Sequence, residues 1–214
     1  MTFSAFSCVL LGVQLPWQQP WVCSAAPLTL AFWDFVVGGN GSGKSTFAKL
    51  LVGLYSLEAS ELRLDGQLII DQNREWYCQH FSVVLSDFYL FESLLGLGSP
   101  GLDAQANDYP VQLQLDHKVQ VQDGALSTTA LSQGQRKRLA LLTAYLEDRP
   151  IYIFDEWAAD QDSQFKELFY TQLLPELKTR GKVILVIRHD HRYFRVADRT
   201  RKLEYGTTVS TAYI

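Results

Sequence analysis

The chain has 214 residues, of which 47% are hydrophobic and 20% charged, and its net charge is −4. This composition excludes a disordered chain and is typical of a globular domain that buries a core of its own. The negative charge, with the densest basic run confined to GQRKR at 134–138, argues against nucleic acid as the main partner.

The cysteines and the apolar runs narrow the class of protein further. Cys8, Cys23 and Cys78 lack the spacing of a metal site, and so few thiols are typical of a reducing cytosol. The apolar run FSCVLLGVQL at 6–15 is shorter than the ~18 residues that a membrane helix needs, and it lacks the basic start of a signal peptide. If the protein works at a membrane, we expect another chain, or a part outside this sequence, to supply the span.

Two buried strands, one helix and one hairpin are predicted in the first half of the chain. PWQQPW at 16–21 is turn-like, and the residues before it show little periodicity. The predicted elements are a buried strand FWDFVV (32–37), a helix KSTFAKLLVGLY (44–55), a hairpin ELRLDGQLII (61–70) and a buried strand HFSVVL (80–85). The turn of the hairpin is predicted at Asp65 and Gly66, the strongest short hairpin signal.

The second half alternates strands with helices. Its predicted elements are a lobe of short helices and loops (96–126), a helix (132–148), a buried strand PIYIFDE (150–156), a helix (163–181), a buried strand KVILVIRHD (182–190) and an exposed strand TRKLEYG (200–206). Ser132 is the predicted cap of its helix, and Pro175 is expected to bend or split the helix around it. The alternation predicts an α/β fold with a mostly parallel sheet, helices on both faces and an antiparallel hairpin.

The stretch GGNGSGKS at 38–45 fits the phosphate-binding pattern G-x-x-x-x-G-K-[ST] in full, between a predicted strand and a predicted helix. Its glycines let backbone N–H groups turn toward phosphate oxygens, and the helix adds the positive end of its dipole. Lys44 is predicted to reach the β- and γ-phosphates, and Ser45 to ligate Mg²⁺. The predicted nucleotide contacts here are Gly38, Gly39, Asn40, Gly41, Ser42, Gly43, Lys44, Ser45 and Thr46.

The predicted strand IYIFDE at 151–156 ends in two carboxylates, which fits the second motif of a P-loop NTPase, the one that accompanies the phosphate loop. Asp155 is predicted to hold Mg²⁺, directly or through water. Glu156 is predicted to poise the attacking water as general base. Two solvated carboxylates at a strand end are the alternative, which the phosphate loop at 38–46 makes less attractive.

A second phosphate-binding device is predicted in LSQGQRKRLALL at 131–142. A serine at a helix N-terminus, followed by a glycine, offers a hydroxyl, free N–H groups and a positive dipole end. Since one γ-phosphate does not need two such devices from one chain, Ser132, Gln133 and Gly134 are predicted to contact nucleotide bound to another copy. A capped amphipathic helix without this role is the alternative.

With these three motifs in place, the chain resembles the ATP-binding domain of ABC transporters, whose signature LSGGQ it carries with Gln133 in place of the first glycine. The resemblance implies a P-loop NTPase of ABC type, with a small helical subdomain beside the sheet. It also implies that Asp162 faces a second subunit and that His189 contacts the γ-phosphate, with Arg188 standing where many relatives have serine. The implied divisions are a poorly matching segment (1–26), the ATPase domain (27–206) with a helical lobe at about 88–147, and a C-terminal tail (207–214).

A narrower resemblance is to exporters of cyclic or modified peptides and siderophores, of the syringomycin, pyoverdine and microcin types. It rests on four stretches: FVVGGNGSGKST, LSDFYLF, STTALSQGQRKRLALL and YIFDEWAADQD. The sequence departs from the wider family at Ser86, where a glutamine is usual, and LTLAFWDFVV is short by about three residues relative to family members. Trp17, or else Trp21, is the candidate for stacking on adenine, with an ordinary surface or core tryptophan as the alternative.

The resemblance implies an ATPase that drives export, with ATP and Mg²⁺ as cofactors. Its implied partners are a second copy, forming a homodimer with ATP at the interface, and a transmembrane exporter domain, with no nucleic acid. It implies a peripheral position at the cytoplasmic face of the bacterial inner membrane. FYLFESLLG (88–96) predicts either a docking surface for the membrane partner or a buried helix. The alternatives in function are a soluble ABC ATPase without transport and a truncated cassette that binds ATP without efficient turnover.

Overall fold

The computed structural model describes residues 6–8, 28–30, 33–55, 61–94, 106, 113–115, 117–188 and 193–213. The strands in this part are β1 (Phe6–Cys8), β2 (Leu28–Leu30), β3 (Trp33–Val37), β4 (Arg63–Leu64), β5 (Gln67–Leu68), β6 (Phe81–Val84), β7 (Val121–Gln122), β8 (Ala125–Leu126), β9 (Ile151–Asp155), β10 (Val183–Arg188), β11 (Arg199–Glu204) and β12 (Thr207–Tyr213). The α-helices are α1 (Lys44–Leu51), α2 (Arg74–Cys78), α3 (Gln133–Glu147), α4 (Ser163–Leu168) and α5 (Leu174–Thr179).

Six of these strands form the central sheet, in the spatial order β12-β11-β3-β10-β9-β6. β11 and β12 pair antiparallel, and the other four neighbouring pairs are parallel. This confirms the predicted mostly parallel sheet, whose inner strands are apolar on both faces because helices cover both. Since the strands are parallel, the carboxyl ends of β3, β9 and β10 meet at one edge, where ligands of such sheets bind.

Each face of the sheet carries its own hydrophobic core. Phe35 of β3 and Phe154 of β9 pack in the core that contains Leu139 of α3. The neighbouring Val36 packs in the other core, with Leu51 of α1. Successive side chains of a strand point to opposite faces, so a short apolar strand such as β3 holds both layers of helices in place.

The predicted hairpin is confirmed, and a second one was not predicted. Asp65 and Gly66, between β4 and β5, both have positive φ, at 48° and 82°, as a two-residue turn of this type requires. Asp123 and Gly124 do the same between β7 and β8, at 52° and 69°. The prediction of short helices and loops is therefore wrong at 121–126, where the Asp-Gly pair carries the same hairpin signal.

The strand predicted as exposed at 200–206 is buried at Thr200, Arg201 and Leu203, so that prediction is wrong there, although Lys202 and Tyr205 are exposed. β11 lies inside the sheet, between β3 and β12, and Arg199 and Arg201 are less than a tenth exposed. Arg199 forms a bidentate ion pair with the fully buried Asp34 of β3, at 2.6 and 2.8 Å. Paired charges can occupy an interior from which single ones are excluded. The chain then turns back, and β12, within the segment 207–214 assigned to a tail from sequence, adds the edge strand.

The two long helical patterns are confirmed, each with its local signal. The Ser132 hydroxyl accepts a hydrogen bond from the Gln135 N–H at 3.4 Å, and the Ser132 N–H donates to the Gln135 side chain at 3.2 Å, a reciprocal cap of α3. A π-helical segment at Phe169–Leu173 separates α4 from α5 just before Pro175, which is the expected interruption. No helix in the described ranges is both long and apolar enough to cross a membrane.

The apolar segment that begins at residue 88 is not a helix in its described part, so the buried-helix alternative is wrong for 88–94. Its side chains alternate instead: Leu90 is buried, whereas Tyr89 and Phe91 are 75% and 62% exposed. The two exposed rings contact each other edge-on, with centroids 4.9 Å apart. The segment therefore presents an aromatic pair on the surface beside the loop that follows β6.

Candidate functional site

The loop after β3 brings the backbone into position to hold a ligand. Gly41 and Gly43 have φ of 74° and 93°, in the left-handed region that favours glycine. Gly43 is also the N-cap of α1, whose first residue is Lys44. Unpaired N–H groups and the positive end of the helix dipole therefore meet in this loop, an arrangement that binds phosphate.

Lys44 lies across this loop. Its Nζ donates hydrogen bonds to the carbonyl oxygens of Gly38 at 3.0 Å and Gly39 at 2.9 Å. The side chain is buried, and burial lowers the pKa of its ammonium, while the charges of Glu156 and Asp155 act in the opposite direction. The ammonium thus lies within electrostatic reach of Asp155 and Glu156, the two carboxylates at the end of the β9 segment.

Replacing Gly38 by alanine is expected to lower the free energy of unfolding by about 1–3 kcal/mol, because the added Cβ would overlap the Leu203 carbonyl oxygen and the Ser42 hydroxyl. Gly39→Ala is the matched control. Apart from its chain neighbours, no described atom lies within 4 Å of a Cβ at Gly39, so its effect should stay within about 0.5 kcal/mol. Urea unfolding of the two variants measures the difference, and equal stabilities would contradict the prediction.

Asp155 ends β9 and is fully buried. Its Oδ2 accepts a hydrogen bond from the Ser86 hydroxyl at 3.1 Å, whereas no donor among the described residues lies within hydrogen-bonding distance of its Oδ1. A buried carboxylate oxygen without a donor is costly, and a cation would offset that cost. Carboxylate and hydroxyl oxygens are ligands that Mg²⁺ accepts alongside phosphate. Asp155, with the half-buried Ser45, therefore fits a magnesium ion that arrives with nucleotide.

Glu156 follows in a strained backbone conformation, with φ 51° and ψ 27°. The left-handed region costs a non-glycine residue about 1–2 kcal/mol, and such strain clusters at functional sites. Its N–H donates to the Ile187 carbonyl at 3.0 Å, and its carbonyl accepts from the Ala159 N–H and the Lys137 Nζ, each at 3.1 Å. The residue is half-buried and is one of those that line a cavity of about 100 Å³.

The residues at the first turn of α3 differ in exposure, because some face solvent and one packs against its own chain. Ser132 and Gln133 are exposed, and the cap uses a lone pair of the Ser132 hydroxyl while its proton can still be donated. Gly134 packs inward: a Cβ there would lie 2.6 Å from the Asp160 carbonyl oxygen, and its own carbonyl accepts from the Gln161 amide at 2.9 Å. Two of the three predicted contacts thus face outward, and the glycine meets the turn after Glu156.

Residues 33–159 match the model of the family described as ABC transporter. The matched stretch contains the phosphate loop, the first turn of α3 and both carboxylates. The chain belongs to the ABC transporter family.

This ABC transporter chain is similar to two curated relatives and to one solved structure. It is 54% identical over 180 residues to the ATP-binding protein SyrD of Pseudomonas syringae pv. syringae, covering 82% of this chain and 32% of the relative. It is 33% identical over 183 residues to an ATP-dependent lipid A-core flippase of Dechloromonas aromatica (strain RCB), covering 80% and 31%. The chain thus spans about a third of the length of these relatives.

The solved structure is a bacterial Atm1-family ABC exporter with ATP bound, which matches 98% of this chain and 38% of its own, with a TM-score of 0.79. The sequence identity of that match is 17%, so it shows the fold alone. It confirms the predicted fold class, a mostly parallel sheet of ABC type with antiparallel strands and helices.

Asp162, predicted to face a second copy of the ABC transporter chain, is held by its own chain. Its Oδ1 accepts from the Phe165 N–H at 2.8 Å, and its Oδ2 pairs with Arg138 of α3 at 2.6 Å. The hydrogen bond from Phe165 and the charge of Arg138 lower the pKa of the carboxyl group. Arg138 also donates to the Gln161 side chain at 2.8 Å, so these contacts join the signature helix to the turn after β9.

Two predicted site residues, His189 and Trp17, lie outside the described residues. Arg188, just before that histidine, is described and buried. Its guanidinium lies over the rings of Tyr170 and Tyr193, 4.7 and 5.5 Å from their centroids. A cation over aromatic faces is stabilised by them, which accounts for an arginine where many ABC transporters have serine.

Lys137 is a residue of this site that the sequence analysis missed. Lys137 belongs to the basic run at 134–138, yet it is 3% exposed and its ammonium contacts the backbone of Glu156. Helical periodicity could have predicted this burial, because Lys137, Leu141 and Tyr145 are spaced by four residues and share one face of α3. Since the other two belong to the core, the same face predicts a buried lysine.

Proposed function

We propose that this chain is the ATP-binding and ATP-hydrolysing domain of an ABC exporter. The observation that carries the proposal is the meeting of Lys44 with Asp155 and Glu156 at one edge of the sheet. β3 and β9, which lead to these groups, flank β10 on either side. A phosphate loop opposite a strand that ends in two carboxylates is the arrangement that phosphoryl transfer requires.

In the proposed reaction, a water molecule attacks the γ-phosphorus of ATP, and the bond from that phosphorus to the bridging oxygen breaks to give ADP and phosphate. Glu156 accepts the proton of the water as general base. Lys44 and the N–H groups of the loop 38–46 hold the β- and γ-phosphates in position. Mg²⁺, held by Ser45 and Asp155, would offset the negative charge of the phosphates.

The complete site is proposed to form between two copies of the chain. Ser132 and Gln133 are exposed at a helix N-terminus, where an unpaired hydroxyl proton and N–H groups suit a phosphate. The inward contacts of Gly134 and Asp162 hold this surface in shape, which supports a role in pairing. Two ATP molecules would lie between the loop of one copy and the signature turn of the other.

Replacing Gln133 by glutamate is expected to weaken ATP-dependent dimerisation about tenfold or more, because a carboxylate would oppose the approaching γ-phosphate. The matched control is Gln172→Glu, the same change at another exposed helical position. Light scattering with and without ATP, in the slowly hydrolysing Glu156→Gln background, measures the dimer. Equal dimerisation of the two glutamate variants would count against the shared site.

Export of a peptide or siderophore-like cargo through a transmembrane partner completes the proposal. The identity to SyrD and the likeness to exporters support it, as does the exposed pair Tyr89 and Phe91 beside the Ser86 loop. The domain would lie at the cytoplasmic face of the bacterial inner membrane. Co-purification with a membrane protein tests this; capture of RNA or DNA instead would favour a soluble ABC ATPase without transport.

A further inference from the structure

Lys137 is a buried cation whose two acceptors lie on one turn of the chain. It lies in α3 and is 3% exposed. Its Nζ donates to the carbonyl oxygen of Glu156 at 3.1 Å and forms an ion pair with Asp160 Oδ2 at 2.7 Å. Burying an ammonium group is unfavourable unless such partners satisfy it, so the two contacts account for its place in the interior.

The Glu156 carbonyl is an unusual acceptor because of the conformation that carries it. Glu156 has φ 51°, which non-glycine residues adopt rarely. A residue in this region persists only when its surroundings determine it. The N–H of Glu156 donates to the Ile187 carbonyl, and the Lys137 ammonium and the Ala159 N–H both donate to the carbonyl of Glu156.

The contact between the helix and the turn runs in both directions. While Lys137 donates to Glu156, the indole N–H of Trp157 donates back to the Lys137 carbonyl at 2.8 Å. The Trp157 ring is buried and stacks on Phe169, with centroids 4.2 Å apart. One residue of α3 is therefore bonded to two successive residues of the turn that carries the carboxylate.

We infer that Lys137 is a positioning residue for Glu156: it holds the left-handed backbone of that residue and so fixes where its carboxylate points. It also joins the general base to the helix whose first turn is proposed to meet the second copy. The kinetic consequences of this inference rest on the proposed ATP hydrolysis, whereas the conformational consequences do not.

The test is Lys137→Met, which keeps most of the length and apolar body of the side chain and removes its donors. Amide hydrogen exchange is measured first. The Ala159 N–H, which bonds to Glu156, should exchange about tenfold faster or more once the turn opens locally, while the amides of Leu141 and Tyr145 in α3 keep their rates. Phosphate release should then show kcat lowered about 10²-fold by misplacement of the base, with KM within about twofold of the wild type.

The double variant Lys137→Met with Glu156→Gln separates positioning from simple destabilisation. If Lys137 acts through Glu156, the methionine should have no further effect on the residual kcat once the base is gone. An equal loss in both backgrounds, or an unchanged exchange rate at Ala159, would overturn the inference. Lys202→Met, at an exposed lysine of β11 that pairs with Glu204, is the control and should change neither quantity.

Two further variants keep the inference testable. If Lys137→Met does not fold, Lys137→Gln is measured in the same way. The glutamine side chain is one atom shorter than lysine, so its amide should not reach the Glu156 carbonyl, and the exchange rate and kcat should change in the same directions. Asp160→Asn keeps an acceptor for Lys137 and should lower kcat only a few-fold; a loss equal to that of Lys137→Met would mean that the lysine acts through Asp160. A wild-type chain without turnover would count against the proposed function, and exchange at Ala159 would still decide the role of Lys137.

Discussion

The Glu156→Gln variant is expected to bind ATP as the wild type does and to hydrolyse it about 10²–10⁴-fold more slowly. Glutamine has nearly the same shape but cannot accept the proton of the attacking water. The hydrogen bonds that hold residue 156, from Lys137 and Ala159 and to Ile187, involve its main-chain atoms. The substitution therefore removes the proposed general base and keeps these main-chain hydrogen bonds.

Phosphate release at saturating ATP and Mg²⁺ measures turnover of this variant, and a fluorescent ATP analogue measures binding. Glu204→Gln in β11, where the carboxylate pairs with Lys202, is the control for the same chemical change elsewhere. Normal hydrolysis by Glu156→Gln would rule out the general-base role. Loss of binding together with hydrolysis would indicate a structural role instead.

The Asp34→Ala variant is expected to lose about 3–5 kcal/mol of unfolding free energy, because it leaves the buried guanidinium of Arg199 without its bidentate partner. Arg201 lies nearby, with its Nε 4.0 Å from the same carboxylate. The substitution therefore also removes the negative charge that offsets the repulsion between these two neighbouring cations. Such a loss is a large part of the stability of a single domain. Much of the variant should therefore be unfolded at moderate urea concentrations.

Urea unfolding followed by circular dichroism measures this loss, and two controls bound it. Asp71→Ala breaks a surface pair with Arg74, in which the carboxylate side chain is 86% exposed, and should change stability by less than about 1 kcal/mol. Replacing Asp34 and Arg199 together by leucine removes the buried ion pair but keeps the neighbouring Arg201, and should recover part of the loss. Similar small effects of Asp34→Ala and Asp71→Ala would contradict the structural role of the buried pair.

The parts of the fold that the sequence predicts well are those set by local pattern. The apolar runs at 32–37 and 182–190 predict β3 and β10 because a strand buried on both faces needs no alternation. The Ser132 cap and the Pro175 interruption follow from hydrogen bonds within one turn of helix. The phosphate loop is predictable for the same reason, since a local pattern of glycines sets its geometry.

The parts that the sequence predicts poorly depend on contacts between distant residues. β11 is predicted as exposed because TRK is polar, and only its pairing with Asp34, 165 positions earlier, makes it an inner strand. Lys137 belongs to a basic run in sequence and is buried because a carbonyl and a carboxylate from the turn after β9 reach it. Such partners cannot be read from the charge of the residue itself.

The close approach of Gly134 to the Asp160 carbonyl separates two kinds of constraint within the signature motif. The glycine is required by the packing of a single chain, whether or not that chain ever meets a second copy. Gln133 is exposed and takes no part in that packing, whereas Ser132, also exposed, caps α3 within its own chain. If two copies pair as proposed, drift at Gln133 among natural relatives, with Ser132 and the glycine kept, would therefore mark cassettes that no longer pair, and loss of the glycine would mark those whose own packing has changed.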